Sequence, residues 1–189
     1  MEGYLSRTAD SSLSNRILDA AYDLLHAKGI EAVTLREVAA KAKTTTPTVY
    51  ARFETKERLL MDVADRLRNE LVAEVKQQPT LLKAAKRYLE FAMERPQDYK
   101  LTFELRWPAM FTPGPGVTWS RERFAELYGG KPDDYAQAVD CLWMELHGGA
   151  DFVLKAPTRD IATGLFDSCL RSCAVIIENA RLFANKKPR

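Results

Sequence analysis

Thr44, Thr45, Thr46 and Thr48 place four hydroxyl groups within five positions of one short segment. A threonine hydroxyl both donates and accepts a hydrogen bond, so such side chains can contact the base edges and the phosphates of DNA. Four threonines at this spacing are also what a plain capped turn can contain. The composition of this segment alone leaves a binding role and a structural role equally open.

The thiols and imidazoles do not form a pattern typical of catalysis or metal binding. The chain has three cysteines and two histidines, with Cys169 and Cys173 one helical turn apart. Because no CxxC, HExxH or nucleophile-elbow motif accompanies them, we expect no enzyme activity, no metal and no cofactor. So few clustered cysteines predict reduced thiols. Redox sensing by Cys169 and Cys173 remains an alternative, although buried cysteines usually pack as small apolar residues.

The composition is that of an ordinary globular protein. With 46% hydrophobic and 29% charged residues, a chain of 189 residues can bury a core. The sequence shows neither an apolar run of membrane-spanning length nor the pattern of a signal peptide, so we expect a cytoplasmic location. Residues 34–58 carry six Lys or Arg against three Glu, a modest excess that does not by itself indicate a nucleic-acid partner.

Apolar residues recur with a period of 3.6 throughout, without β-type alternation of useful length, and this predicts an all-α fold. The predicted helices cover residues 14–28, 34–42, 45–53, 55–77, 80–94, 96–107, 119–128, 133–155 and 159–184, with an irregular stretch over 108–118. A proline at position 79 marks the clearest break between two functional units.

Residues 34–53 have the signals of a helix-turn-helix. Thr34 followed by Glu37 fits a capping box. Thr45 or Thr46 caps the next short helix, with Pro47 in its first turn. Two short helices joined by a tight turn present the second of them to the major groove of DNA.

The stretch from Ile17 to Leu60 resembles the N-terminal domain of the TetR family of regulators. The segments ILDAAYDLLHAKGIEAVTLREVAAKA and TPTVYARFETKERLL carry this resemblance, which covers about a quarter of the chain. It implies phosphate contacts by Thr34, Thr45, Tyr50 and Lys56, and base contacts by Thr44, Thr46 and Thr48.

Two residues of this stretch depart from the family pattern. Lys43 stands where the family often has glycine in the turn, and Arg52 stands where it often has histidine. A lysine adopts a left-handed turn only at an energetic cost, although its charge offers a further phosphate contact. We add both residues to the predicted DNA-binding set.

The resemblance implies an N-terminal DNA-binding domain over residues 1–55 and a C-terminal helical bundle over 56–189, in which 56–78 form a connecting helix. The segment WMELHG, residues 143–148, is similar to the Trp and His-Gly signature of one subgroup of these C-terminal domains. Large apolar groups with a few polar ones could line a ligand pocket, although each could instead be a core residue. The candidate ligand contacts are Phe103, Trp107, Met110, Phe111, Trp119, Phe124, Trp143, Met144 and His147.

Together these features predict a DNA-binding transcriptional regulator, a repressor that leaves its operator when a small, largely apolar ligand binds. Operator half-sites about 34 Å apart require a two-fold symmetric protein, and the last two predicted helices are long enough for a four-helix dimer interface. The expected partners are double-stranded operator DNA, a small-molecule effector and a second copy of the chain, and no membrane. The alternatives are a redox-responsive regulator and a helical interaction module without a DNA role.

Overall fold

A computed structural model of the chain describes residues 2–104 and 114–183. Within these ranges the structure is helical and contains no β-strand, as the apolar periodicity predicts. The α-helices are α1 (Glu2–Lys28), α2 (Leu35–Lys41), α3 (Thr46–Phe53), α4 (Lys56–Lys76), α5 (Leu81–Glu94), α6 (Pro96–Glu104), α7 (Pro115–Tyr128), α8 (Ala136–Lys155) and α9 (Arg159–Glu178). None of these helices is both long and apolar enough to span a membrane.

The first compact unit extends to Leu67 and contains α1, α2, α3 and the start of α4. Apolar side chains from all four helices share its core, and the fully buried ones are Ile17, Ala21, Val33, Val38, Val49, Leu59 and Ala64. Surface ion pairs from Lys41 to Asp23 and from Arg66 to Asp19 add little to this apolar packing.

Threonine side chains cap the N-termini of α2, α3, α4, α5 and α9. In each case the threonine Oγ1 accepts a hydrogen bond from the backbone N–H three residues later, at 3.1–3.3 Å. A cap of this kind stabilises a helix by about 1 kcal/mol. The cap at Thr34 is the one that the sequence predicts, and Thr45 is one of the two predicted candidates for the next helix.

The second compact unit comprises Arg68 to Phe103 and the described residues from 114 onward. Its core is built mainly from α5, α7, α8 and α9, and its most deeply buried residues are Leu89, Phe91, Phe124, Ala138, Cys173 and Ala180. α8 and α9 form an antiparallel hairpin in which Cys169 Sγ donates to the backbone oxygen of Glu145 at 3.5 Å.

Several predicted helix ends are wrong. α1 begins at Glu2 and not near Ser14, because the twelve residues before Ser14 hold few apolar residues and no clear apolar period. α7 begins at Pro115, which occupies its first turn, so the end of the predicted irregular stretch is helical. The rest of that stretch, residues 108–113, lies outside the described residues. α9 ends at Glu178, and a 3-10 helix over Ala180–Leu182 replaces its predicted last turns.

Candidate nucleic-acid interface and buried aromatic site

The turn between α2 and α3 is closed by a lysine in the left-handed conformation. Lys43 has φ 52°, its N–H donates to the oxygen of Ala40 at 3.2 Å, and the N–H of Thr44 donates to that of Ala39 at 3.0 Å. These two bonds form the Schellman motif, in which the left-handed position is usually glycine. The tight turn therefore forms despite a conformational cost of about 1–2 kcal/mol.

α3 turns one side to the core and the other to solvent. Val49 is 0% exposed and Phe53 is 4% exposed, so both side chains hold α3 against its neighbours. Thr45 Oγ1 accepts the N–H of Thr48 at 3.3 Å, and the two hydroxyls share a hydrogen bond of 2.8 Å. Apolar packing therefore fixes the buried side of α3, and the two threonine hydroxyls fix its first turn on the exposed side.

All nine side chains of the predicted DNA-binding set lie at exposed or partly exposed positions. The exposed ones are Thr34, Lys43, Thr45 and Tyr50, and the partly exposed ones are Thr44, Thr46, Thr48, Arg52 and Lys56. Arg52 Nη1 donates to Ser14 Oγ of α1 at 3.3 Å, so its guanidinium also ties α3 to the first helix. This arrangement leaves the threonine-lined surface accessible to a large partner.

A second group of polar side chains lies inside the C-terminal unit. Tyr99 Oη lies 2.8 Å from His147 Nδ1, and Tyr88 Oη lies 3.1 Å from Nδ1 and 3.2 Å from Nε2 of the same ring. The Tyr88 hydroxyl also donates to that of Tyr99 at 3.5 Å. Tyr88 and Tyr99 are buried, so α5, α6 and α8 each contribute one member to an enclosed polar network.

Two aromatic rings enclose the imidazole of this network. The ring centroid of Trp143 is 4.2 Å and that of Phe103 is 4.3 Å from His147, both in edge-on geometry. The structure therefore brings together three of the predicted ligand contacts, Phe103, Trp143 and His147. We call them and the two tyrosines the aromatic–histidine cluster.

Comparison with known families identifies the N-terminal unit. Residues 17–63 match the sequence profile described as bacterial regulatory proteins, tetR family. This stretch of the chain is therefore similar to the N-terminal domain of that family. Over 62 residues it is 39% identical to the uncharacterised helix-turn-helix transcriptional regulator YdeS of Bacillus subtilis strain 168. That match spans 33% of this chain and only 31% of the length of YdeS.

The fold as a whole is similar to solved TetR family structures. A TetR variant of Acinetobacter baumannii AYE, in complex with minocycline, is 18% identical and has a TM-score of 0.61, over 89% of this chain and 97% of that one. The multidrug binding protein EbrR, complexed with imidazole, is 21% identical with a TM-score of 0.57, over 93% and 96%. A TetR-family regulator of Haemophilus influenzae is 16% identical with a TM-score of 0.54, over 86% and 97%. These likenesses show the all-α TetR fold.

Sequence reasoning passed over four residues at these two places in the structure. Pro47 and Ala51 are exposed on the outer side of α3, and the period of the helix places them opposite Val49, a signal already present in the sequence. Tyr88 and Tyr99 complete the aromatic–histidine cluster, and no sequence pattern pairs either of them with His147.

Burial keeps the polar members of the cluster uncharged near neutral pH. Burial lowers the pKa of His147 to about 4, and burial raises the pKa of Tyr99 to about 12. The pKa of Tyr88 is raised well above its usual value, also mainly by burial. A ligand that reached this cluster would therefore meet neutral hydrogen-bonding groups among aromatic rings.

The other predicted ligand contacts lie elsewhere or outside the described residues. Phe124 is buried and stacks on Tyr135, with 5.7 Å between ring centroids, and Trp119 is a partly buried residue packed against the core. Met144 is 60% exposed on the outer side of α8. Trp107, Met110 and Phe111 lie outside the described residues.

The cysteines of the C-terminal unit are free thiols, and Cys169 and Cys173 are buried. A hydrogen bond between the two thiols, together with burial, raises the pKa of Cys173, whereas the same bond lowers the pKa of Cys169. In the described part of the chain, no three His, Cys, Asp or Glu side chains gather in a way that could hold a metal ion.

Proposed function

We propose that this protein is a homodimeric transcriptional repressor that leaves its operator when a small, largely apolar ligand binds in its C-terminal unit. The observation that carries the proposal is the exposed outer surface of α3. The left-handed turn at Lys43 and the cap at Thr45 fix the start of this helix, and the domain that contains it is similar to the N-terminal domain of the TetR family. Since bacterial operator DNA is cytoplasmic, the proposal also places the protein in the cytoplasm.

The DNA contacts proposed for this surface fall into two groups. Thr34, Thr45, Tyr50 and Lys56 would contact phosphates, and Lys43 and Arg52 would add positive charge near them. Thr44, Thr46 and Thr48 would contact base edges. Tyr50 is 53% exposed, which supports this role because its side chain is accessible to a partner.

The proposed dimer interface lies on the side of the α8–α9 hairpin that faces away from the core. Cys169 approaches Gly149 and Glu145 where the two helices meet. On α8, Met144, Gly148 and Phe152 follow one another at helical spacing beside this line of contact, and all three are exposed. Phe152, in the last turn of α8, is 65% exposed and adds a large apolar surface to this row.

α9 continues the same exposed surface. At helical spacing it carries Ile161, Leu165, Ser168, Ser172 and Val175, which lie on one side of the position of Cys169, away from the buried Cys173 and Ile177. We propose that this row and the row on α8 together form one apolar and small-residue face of the antiparallel hairpin. A second copy related by two-fold symmetry would bury this face in a four-helix arrangement.

The proposed effector site is the aromatic–histidine cluster. Its aromatic walls and few neutral polar groups are typical of sites for largely apolar ligands. Two proteins of similar fold were solved in complex with minocycline and with imidazole, which supports a ligand role for a chain of this fold. A ligand could replace the hydrogen bonds that the two tyrosines and His147 now make with one another.

The proposed coupling runs through α6 and α4. α6 carries Tyr99 and Phe103 of the cluster, and its buried Asp98 accepts a 2.6 Å hydrogen bond from Arg95 Nε. Arg95 Nη2 lies 3.6 Å from Glu70 on α4. Since α4 continues without a break into the DNA-binding unit, a ligand that favours another position of α6 would also bias α4, with a coupling free energy of about 1–3 kcal/mol.

A mobility-shift titration tests this proposal. The full chain is bound to an operator selected from random DNA, and candidate apolar ligands are added at fixed salt. We expect the affinity for DNA to fall by about 5- to 150-fold with an effector. A ligand that binds the protein but never changes its affinity for DNA would exclude the sensing mechanism, and a chain that selects no DNA sequence would exclude the regulator itself. The affinity should also fall steeply with salt.

A further inference from the structure

The outermost positions of α3 carry hydrocarbon and not hydrogen-bonding groups. Val49 and Phe53 define its buried side, and each residue turns the helix by about 100°. Pro47 and Ala51 therefore lie about 160–200° from Val49, one above the other, and both are exposed. When α3 enters a groove, these two side chains face its floor most directly.

Two of the polar side chains beside them already hydrogen-bond to each other. The hydroxyls of Thr45 and Thr48 share a 2.8 Å hydrogen bond, and Thr45 also caps the helix. Arg, Lys, Asn and Gln are the residues that make two-pronged hydrogen bonds to bases. α3 contains one of them, Arg52, and its guanidinium donates to Ser14 Oγ. The centre of this surface therefore offers few of the donors that distinguish guanine or adenine.

Among the groups that the bases expose in the major groove, the C5-methyl of thymine is the one that hydrocarbon recognises. We propose that Pro47 and Ala51 are specificity-determining residues that read thymine methyl groups, and that each operator half-site carries thymine at the positions they contact. This inference rests on the proposed function and adds to it the chemistry of the sequence readout.

The test removes single methyl groups from the DNA. An operator is selected from random duplexes with the full chain, and each thymine of one half-site is then replaced in turn by deoxyuridine, which lacks only the C5-methyl. Fluorescence anisotropy at fixed salt gives the affinity of each duplex. We expect at least one replacement per half-site to weaken binding about three- to fivefold, the effect of one buried methyl group.

Two variants assign the effect to residues. Ala51→Ser and Pro47→Ala change the apolar surface, so the deoxyuridine penalty at the contacted thymine should fall below twofold in at least one of them. Thr34→Ala is the matched control, because it alters a predicted phosphate contact outside α3. It should weaken binding to the thymine and the deoxyuridine duplex equally. Circular dichroism confirms that each variant is folded.

Two results would overturn the inference while leaving the proposed function intact. The first is a selected operator whose affinity no deoxyuridine replacement lowers. The second is a methyl dependence that neither α3 variant changes. A selection that yields no preferred sequence would instead overturn the proposed function, and this inference with it.

Discussion

Gly149 of α8 lies directly against the Cys169 side chain of α9. A Cβ built at Gly149 would lie 2.9 Å from Cys169 Cβ and would overlap its sulfur. The close approach of the two longest helices of the C-terminal unit therefore requires glycine at this position, although its place inside a helix otherwise disfavours that residue.

Gly149→Ala should lower the free energy of unfolding by about 1–2 kcal/mol, because overpacking outweighs the better helix propensity of alanine. Urea unfolding measures the change. Gly164→Ala on α9 is the control, since the space around that position is open and Gly164 is not among the residues of the proposed dimer face. Combining Gly149→Ala with Cys169→Ala should recover part of the loss, and strictly additive effects would contradict the contact.

Lys43→Gly should raise the free energy of unfolding by up to about 1 kcal/mol, since glycine adopts φ 52° without strain. Lys43→Ala keeps the strain and removes only the charge, so it should not stabilise the protein. Both variants should reduce the slope of log affinity against log salt by about one unit if Lys43 contacts a phosphate. Equal stability of the two variants would show that the turn is unstrained.

The pH dependence of stability should carry the signature of His147. Its pKa is about 4 when folded and 6.5 in the unfolded chain, because burial opposes the charged ring. Between these values only the unfolded chain binds the proton, so this group's contribution is complete above pH 6.5 and is lost as the pH falls towards 4. The loss amounts to at most about 3 kcal/mol. His147→Gln should show a flatter profile in urea unfolding from pH 4 to 7, and an unchanged profile would assign the effect elsewhere.

A charge on the proposed dimer face should separate the two copies. Phe152→Glu with Val175→Glu places two carboxylates on an apolar face, and sedimentation velocity should then show a monomer. Leu127→Glu on α7 is a matched control, because Leu127 is as exposed as Val175 but lies away from that face. A double variant that remains dimeric would place the interface elsewhere.

The helix-turn-helix was the part of the fold most accessible to sequence reasoning. Threonine caps and the apolar period are local signals, so they predict α2 and α3 to within a residue or two. The inward direction of Val49 and Phe53 follows from the same period. The predicted DNA-binding residues were chosen for their hydroxyl or charged groups, so Pro47 and Ala51 were not among them. Their outward positions follow from the helical period alone.

The C-terminal site could be predicted only in part. Trp143 and His147 are one helical turn apart, so their contact follows from sequence spacing. The contacts of His147 with Tyr88 and Tyr99 join residues 59 and 48 positions apart, and packing between helices decides them. Met144 was predicted as a ligand contact only because it is apolar. It follows Trp143 directly on α8, so the helix turns its side chain about 100° away from that of Trp143, to the outer surface.

The most direct test of the central claim is the operator affinity of the double variant Thr48→Ala with Tyr50→Phe, measured by anisotropy beside the parent chain. Both changes remove hydroxyls from the exposed side of α3 and leave its buried side intact. We expect a loss of at least tenfold in affinity, with unchanged circular dichroism and an unchanged dimer mass. A double variant that folds and binds the operator as tightly as the parent would contradict the assignment of α3 as the helix that reads DNA.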